Sequence, residues 1–137
     1  MDNKYQFVIL DDDLFYGNLI KYFLQNQGYT NVSFFEDESV CLKYVSSKPT
    51  LYIVDHFLKQ TTGLTMMEEI YQKNPNAFFI YLSNQESSSI AMKAMKLGAI
   101  DYLQKDKNSF FHLLNIIDQF FRDKSISNEF QKTFRDN

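Results

Sequence analysis

The sequence predicts an α/β fold, a doubly wound parallel sheet of five strands with helices on both faces. Three observations predict it. Short, nearly continuous apolar runs alternate strictly with longer segments whose apolar residues recur at helical spacing. The continuity of the runs suits strands covered on both faces, and the alternation suits parallel strands joined by helical crossovers. Acidic, hydroxyl and lysine residues follow the runs directly, at the rim where parallel sheets bind ligands.

The first strand is YQFVIL at 5–10, which runs into Asp11, Asp12 and Asp13. A helix over 14–27 follows, with Leu14, Phe15, Leu19, Ile20, Phe23 and Leu24 at helical spacing and Gly28 placed to end it. VSFF at 32–35 forms the second strand and delivers Glu36 and Asp37. The second helix spans 38–46 on Val40, Leu42 and Val45. LYIV at 51–54 ends in Asp55, and a helix over 64–73 carries Leu64, Met67, Ile70 and Tyr71. FFIYL at 78–82 ends in Ser83; residues 86–97 place Ile90, Ala91, Ala94, Met95 and Leu97 on a helix closed by Gly98. IDYL at 100–103 leads through Gln104 to Lys105, and the last helix spans 107–123 on Phe110, Leu113, Leu114, Ile117, Phe120 and Phe121.

The totals agree with one domain: 137 residues, 45% hydrophobic and 23% charged. The net charge of −3 argues against a general nucleic-acid binder. A single cysteine, Cys41, excludes an internal disulfide or a paired-cysteine metal knuckle and fits a reducing compartment. No apolar run approaches the ~18 residues of a membrane span. The N-terminus lacks the shape of a signal peptide, so the expected location is cytoplasmic. Residues 1–123 are read as the domain and 124–137 as a C-terminal helical extension or linker, where Ile126, Phe130 and Phe134 recur at i, i+4, i+8. That tail is too short to be a DNA-binding domain, so no nucleic acid is expected to bind this chain alone.

Three adjacent aspartates need an explanation. Like charges about 4 Å apart repel by roughly 4 kcal/mol at an effective dielectric near 20. If Asp11, Asp12 and Asp55 converge at the strand ends, they bring three negative charges and Lys105 returns one positive. A divalent, oxygen-preferring cation closes that balance, and a site with few protein ligands and several waters suits Mg2+ better than Ca2+.

VILDDD (8–13), LYIVDHFL with Gly63 eight residues after Asp55, FFIYLS (78–83) and GAIDYLQK (98–105), in this order, resemble the receiver domain of two-component response regulators. The resemblance covers about residues 5–122. It implies a flavodoxin-like sheet of strand order 2-1-3-4-5. It implies that Asp55 is the phosphoacceptor, that Asp11, Asp12, Asp55 and the backbone carbonyl of Phe57 hold Mg2+, and that Ser83 bonds a phosphoryl oxygen. Lys105 would neutralise the site and then the phosphate, and Tyr102 would be an aromatic switch. The implied partners are a sensor histidine kinase or a phosphotransfer protein, with a homodimer through the helix 4–strand 5–helix 5 face. On this reading the chain is a signalling phosphoacceptor whose only chemistry is its own phosphorylation and dephosphorylation. Departures from the family pattern stand at Asp106, Lys59 and Asn84, where proline, proline and a small residue are usual. A non-proline cis bond costs about 3 kcal/mol, so the Lys105–Asp106 bond is expected to be trans or a strained cis, with Asp106 free to cap the last helix.

Two other functions fit parts of the pattern. A Mg2+-dependent phosphatase of the haloacid-dehalogenase type would use Asp11 and Asp13 as its Asp-x-Asp pair, but Phe15 and the lone Asp101 depart from that family. A pseudo-receiver would keep the fold as a binding module that is never phosphorylated. Asp13 is read as a solvent-facing or capping residue, His56 as a packed histidine, and His112 as a surface residue.

Overall fold

The computed structural model describes residues 4–136, with side chains described for 4–125. Among the described residues ten elements alternate: β1 (Gln6–Leu10), α1 (Leu14–Asn26), β2 (Val32–Phe35), α2 (Glu38–Lys43), β3 (Thr50–Asp55), α3 (Gly63–Lys73), β4 (Ala77–Ser83), α4 (Ser88–Lys96), β5 (Asp101–Gln104) and α5 (Ser109–Asp136). The five strands pair in parallel in the order β2-β1-β3-β4-β5. The expected class and strand order are therefore those of the structure.

Each strand divides its side chains between two cores. Phe7 and Ile9 of β1, Leu51 and Ile53 of β3, and Ile80 and Leu82 of β4 pack against Ile20 and Leu24 of α1 and Leu113 and Ile117 of α5. Their neighbours Leu10, Tyr52, Val54, Phe79 and Tyr81 pack on the opposite face against Cys41 of α2, Met66, Met67 and Ile70 of α3, and Ala94 of α4. The two-residue period of a strand turns a continuous apolar run into two buried faces. Full burial of each such side chain contributes roughly 1.5–3 kcal/mol.

Local chemistry sets the boundaries. Asp13 caps α1, its carboxylate accepting from the N–H groups of Phe15 (3.0 Å) and Tyr16 (3.1 Å). Asp37, Thr62 and Ser87 cap α2, α3 and α4 in the same way. Gly28 and Gly98 take positive φ angles of 95° and 103° just beyond α1 and α4, as expected of the residues that end those helices. The second helix stops at Lys43, earlier than the apolar spacing to Val45 suggests. Tyr44 leaves the helix to pack its ring on Phe35 (5.2 Å), and the segment Ser46-Ser47-Lys48-Pro49 that follows favours a turn. The last helix begins two residues late because Asp106 opens a turn first: its carboxylate accepts the Asn108 N–H (2.8 Å) and its carbonyl accepts from Ser109. The Lys105–Asp106 bond is trans, as no peptide bond among the described residues is cis. The backbone of α5 continues without a break past residue 123 to Asp136; the side chains of Ile126, Phe130 and Phe134 lie outside the described residues. Among the described residues no helix is long and apolar enough to cross a membrane.

Candidate functional site

The register of the sheet brings the predicted residues to one rim. Leu10 pairs with Val54 across β1 and β3, so the residues that follow, Asp11 and Asp55, emerge side by side. Asp55 pairs with Leu82, which leaves Ser83 one position further along the neighbouring strand. Ser83 pairs with Gln104, and the Lys105 N–H donates to the Ser83 carbonyl (2.8 Å), so β4 and β5 enter the site together.

Lys105 ties the acidic residues together. Its Nζ donates to Asp11 Oδ2 at 2.7 Å and pairs with Asp55 Oδ1 at 3.1 Å. All three side chains are almost wholly buried. The ammonium also lies 4.4 Å from the centre of the Tyr16 ring, whose hydroxyl is bonded to Ser109 Oγ (2.7 Å). Lys105 is thereby held between β1, β3, α1 and α5. Asp12 is exposed, yet one carboxylate oxygen from each of Asp11, Asp12 and Asp55 fits within a 4.8 Å cluster. Asp13 points elsewhere, into its helix cap.

The electrostatics follow from burial. Burial first and the Asp11 charge second raise the Asp55 pKa from 3.8 to about 6, and the Lys105 ammonium only partly offsets them. Burial also raises the Asp11 pKa, against the bonds from Lys105 and from the Asp13 N–H (2.9 Å). Burial works against the charge on Lys105, but its bonds to Asp11 and Asp55 win and its pKa is raised. A buried cluster with an excess of carboxylate and only hard oxygen donors is a good match for a small divalent cation.

Around this centre the structure places the remaining candidates. Ser83 is fully buried, and its Oγ accepts the Gln85 N–H at 3.1 Å. Tyr102 is half-buried: its hydroxyl donates to the Gln85 carbonyl (2.9 Å), and its ring stacks on Tyr81 (6.1 Å between centres). The Phe57 side chain is exposed, on the turn that leaves Asp55. Gly63 begins α3 where a Cβ would sit 2.4 Å from the Asp55 carbonyl oxygen and 2.7 Å from the Tyr81 ring. Only glycine lets the helix come that close to the end of β3.

Three features were not legible from spacing. His56 is indeed packed, but its Nδ1 is bonded to the Tyr81 hydroxyl, which also accepts the Leu64 N–H. Burial, helped by the Lys93 charge, lowers the His56 pKa. Tyr16 supplies the aromatic face over Lys105. Glu38, outside every site expectation, is buried and accepts two backbone N–H groups from the turn after Asp55. The polar run EDES at 36–39, following a strand, was the available signal for Glu38.

A doubly wound five-stranded sheet with a buried Asp–Asp–Lys cluster at its carboxyl rim defines a class of receiver-type signalling domains. The response regulator receiver domain family matches residues 7–118, and the chain belongs to that family. It is similar to the transcriptional regulatory protein CssR of Bacillus subtilis, with 30% identity over 102 residues, 74% of this chain and 45% of that protein. It is also similar to RprY of Bacteroides fragilis, with 26% identity over 105 residues, 77% of this chain and 44% of that protein. The chain thus spans less than half the length of these two curated relatives. Among solved structures, a CheY-like receiver domain protein from Methanospirillum hungatei superposes with a TM-score of 0.79 at 21% identity, covering 92% of this chain and 99% of that one. A response regulator from Burkholderia pseudomallei, solved with a phosphorylated aspartic acid and a calcium ion, superposes with a TM-score of 0.70 at 24% identity, covering 91% and 75%. These two likenesses establish the shared fold. The chain is a receiver domain of two-component signalling, and the phosphatase reading is not favoured.

Proposed function

We propose that Asp55 is the phosphoacceptor and that the domain switches a protein-interaction surface when Asp55 is phosphorylated. The observation that carries this reading is the convergence of Asp11, Asp12 and Asp55 around the buried Lys105 ammonium. A carboxylate oxygen of Asp55 attacks phosphorus, a P–N bond to the histidine of a sensor kinase or phosphotransfer protein breaks, and an acyl phosphate forms. Asp11, Asp12, Asp55 and the Phe57 carbonyl would hold Mg2+, which supplies charge neutralisation for the transferring group. Lys105 balances the phosphoryl charge, and the Ser83 hydroxyl turns from the Gln85 N–H to a phosphoryl oxygen. The chain's own chemistry is limited to its phosphorylation and hydrolysis of the acyl phosphate, in a cytoplasmic setting.

The switch follows from the contacts of Ser83. Phosphorylation replaces one negative charge by about two and adds acceptor oxygens. As Ser83 moves, the loop holding Asn84 and Gln85 moves with it, and the Tyr102 hydroxyl loses its bond to the Gln85 carbonyl. The Tyr102 ring then turns inward, and the face formed by α4, β5 and α5, with Met92 and Phe111 exposed on it, repacks to receive a partner or a second copy of the chain. Hydrogen exchange with and without a beryllofluoride phosphate mimic tests this: protection should change over residues 83–111. Changes confined to 31–50 would refute the switch.

A further inference from the structure

We propose that Glu38 is a positioning residue for the metal- and phosphate-binding site, acting through the turn that carries Phe57; this rests on the function proposed above. The turn over residues 56–62 leaves the acceptor strand and enters α3. Neither proline of the chain, Pro49 or Pro75, stiffens it. Its base is a short ladder: Phe57 bridges Thr62, the Leu58 N–H donates to the Thr61 carbonyl (3.2 Å), and the Gly63 N–H donates to the His56 carbonyl (2.8 Å). Its tip is held from another element. Glu38 in the first turn of α2 is 3% exposed, and its Oε2 accepts the N–H groups of both Gln60 (2.6 Å) and Thr61 (2.9 Å).

The other oxygen shows what this carboxylate is for. Glu38 Oε1 is buried and has no hydrogen-bond partner among the described residues. An apolar side chain would fill the same space without leaving an acceptor unsatisfied, so packing does not account for a glutamate here. Its distinctive contribution is a pair of charge-assisted bonds to consecutive backbone N–H groups, which an aliphatic side chain does not make. The nearby Lys59–Glu36 pair (3.2 Å) is half-exposed at both ends and holds the turn far less firmly. Gripped at its tip and laddered at its base, the turn fixes the backbone of Phe57 relative to Asp55. The outer partners that orient a metal ligand commonly alter affinity 10–100-fold when removed.

The test is an NMR titration of the full chain with Mg2+, following backbone amides and the Phe57 carbonyl carbon. Glu38→Asp keeps the negative charge in the first turn of α2 but shortens the reach to the turn; it should weaken Mg2+ binding by about tenfold and diminish the Phe57 carbonyl shift at saturation. Glu38→Gln keeps an acceptor oxygen at full length but not the charge, and should bind Mg2+ more weakly than wild type and more tightly than Glu38→Asp. Thermal unfolding of both variants separates this from general destabilisation, since a purely structural role would move stability without moving the Phe57 shift. Wild-type Mg2+ affinity and an unchanged Phe57 shift in Glu38→Asp would overturn the role of Glu38 and leave the phosphoacceptor reading standing. Wild-type protein that shows no Mg2+ response at residues 11–13 and 55–57 would instead overturn that reading, and this inference with it. Should Glu38→Asp fail to fold, loss of Gln60 and Thr61 amide protection in Glu38→Ala, without loss of Mg2+ affinity, would also overturn the role.

Discussion

Replacing Asp55 by asparagine should make the metal-free protein more stable at neutral pH. Burial and the Asp11 charge raise the Asp55 pKa from 3.8 to about 6. Between those values the folded state binds the proton more tightly than the unfolded chain, so Asp55 lowers stability progressively as pH rises through that window. Above it the carboxylate is charged in both states, and the accumulated loss is about 3 kcal/mol. Asparagine keeps the shape and removes the charge. Asp55→Asn should therefore match wild type near pH 3, below both values, and exceed it by about 3 kcal/mol at pH 7.5, roughly 10 °C in midpoint for a domain of this size. Burial lowers the His56 pKa, which makes His56 favour the fold increasingly as pH rises toward 6.5, but that contribution is common to both proteins and cancels in the difference. Urea unfolding of the pair at several pH values, in chelator, measures the gap. Adding Mg2+ should close it by stabilising only the protein that retains Asp55. A metal-free Asp55→Asn protein no more stable than wild type at pH 7.5 would refute the reasoning.

Two further substitutions separate the roles of neighbouring residues. Asp13→Ala removes the cap of α1 and should cost about 1 kcal/mol in urea unfolding while leaving Mg2+ affinity unchanged; a large loss of Mg2+ binding would return Asp13 to the site. Lys105→Ala removes the cation that bridges Asp11 and Asp55. It should tighten Mg2+ binding, measured by NMR titration, because the metal no longer competes with a buried ammonium, yet it should abolish the hydrogen-exchange response to beryllofluoride over 83–111.

What the sequence carried and what it did not divide along physical lines. Strands buried on both faces appear as unbroken apolar runs, so LYIV and FFIYL located β3 and β4 without any partner being known. Their ends then located Asp55 and Ser83, because parallel strands present their carboxyl ends together. The order of the strands came from the family resemblance, since local periodicity carries no information about which strands are adjacent. Helical spacing does not locate the end of α2 or the start of α5, where a long-range or turn contact outweighs it: Tyr44 packs on Phe35, and Asp106 binds Asn108 before the helix begins. Glu38, Tyr16 and the His56–Tyr81 pair are not legible in the sequence for a related reason. Each acts on a residue more than 20 positions away, joined only by the fold. Asp13 shows the converse, since its cap is local and was legible as one.

The most direct test of the account is where a phosphoryl group goes. Wild-type protein incubated with Mg2+ and a small-molecule phosphodonor should gain one phosphoryl group by intact mass, and borohydride reduction of the acyl phosphate should convert residue 55 alone to homoserine. Asp55→Asn should gain none, and Asp11→Asn should gain it more slowly through weakened metal binding. Undiminished labelling of Asp55→Asn, or homoserine at residue 11 in place of 55, would contradict the account.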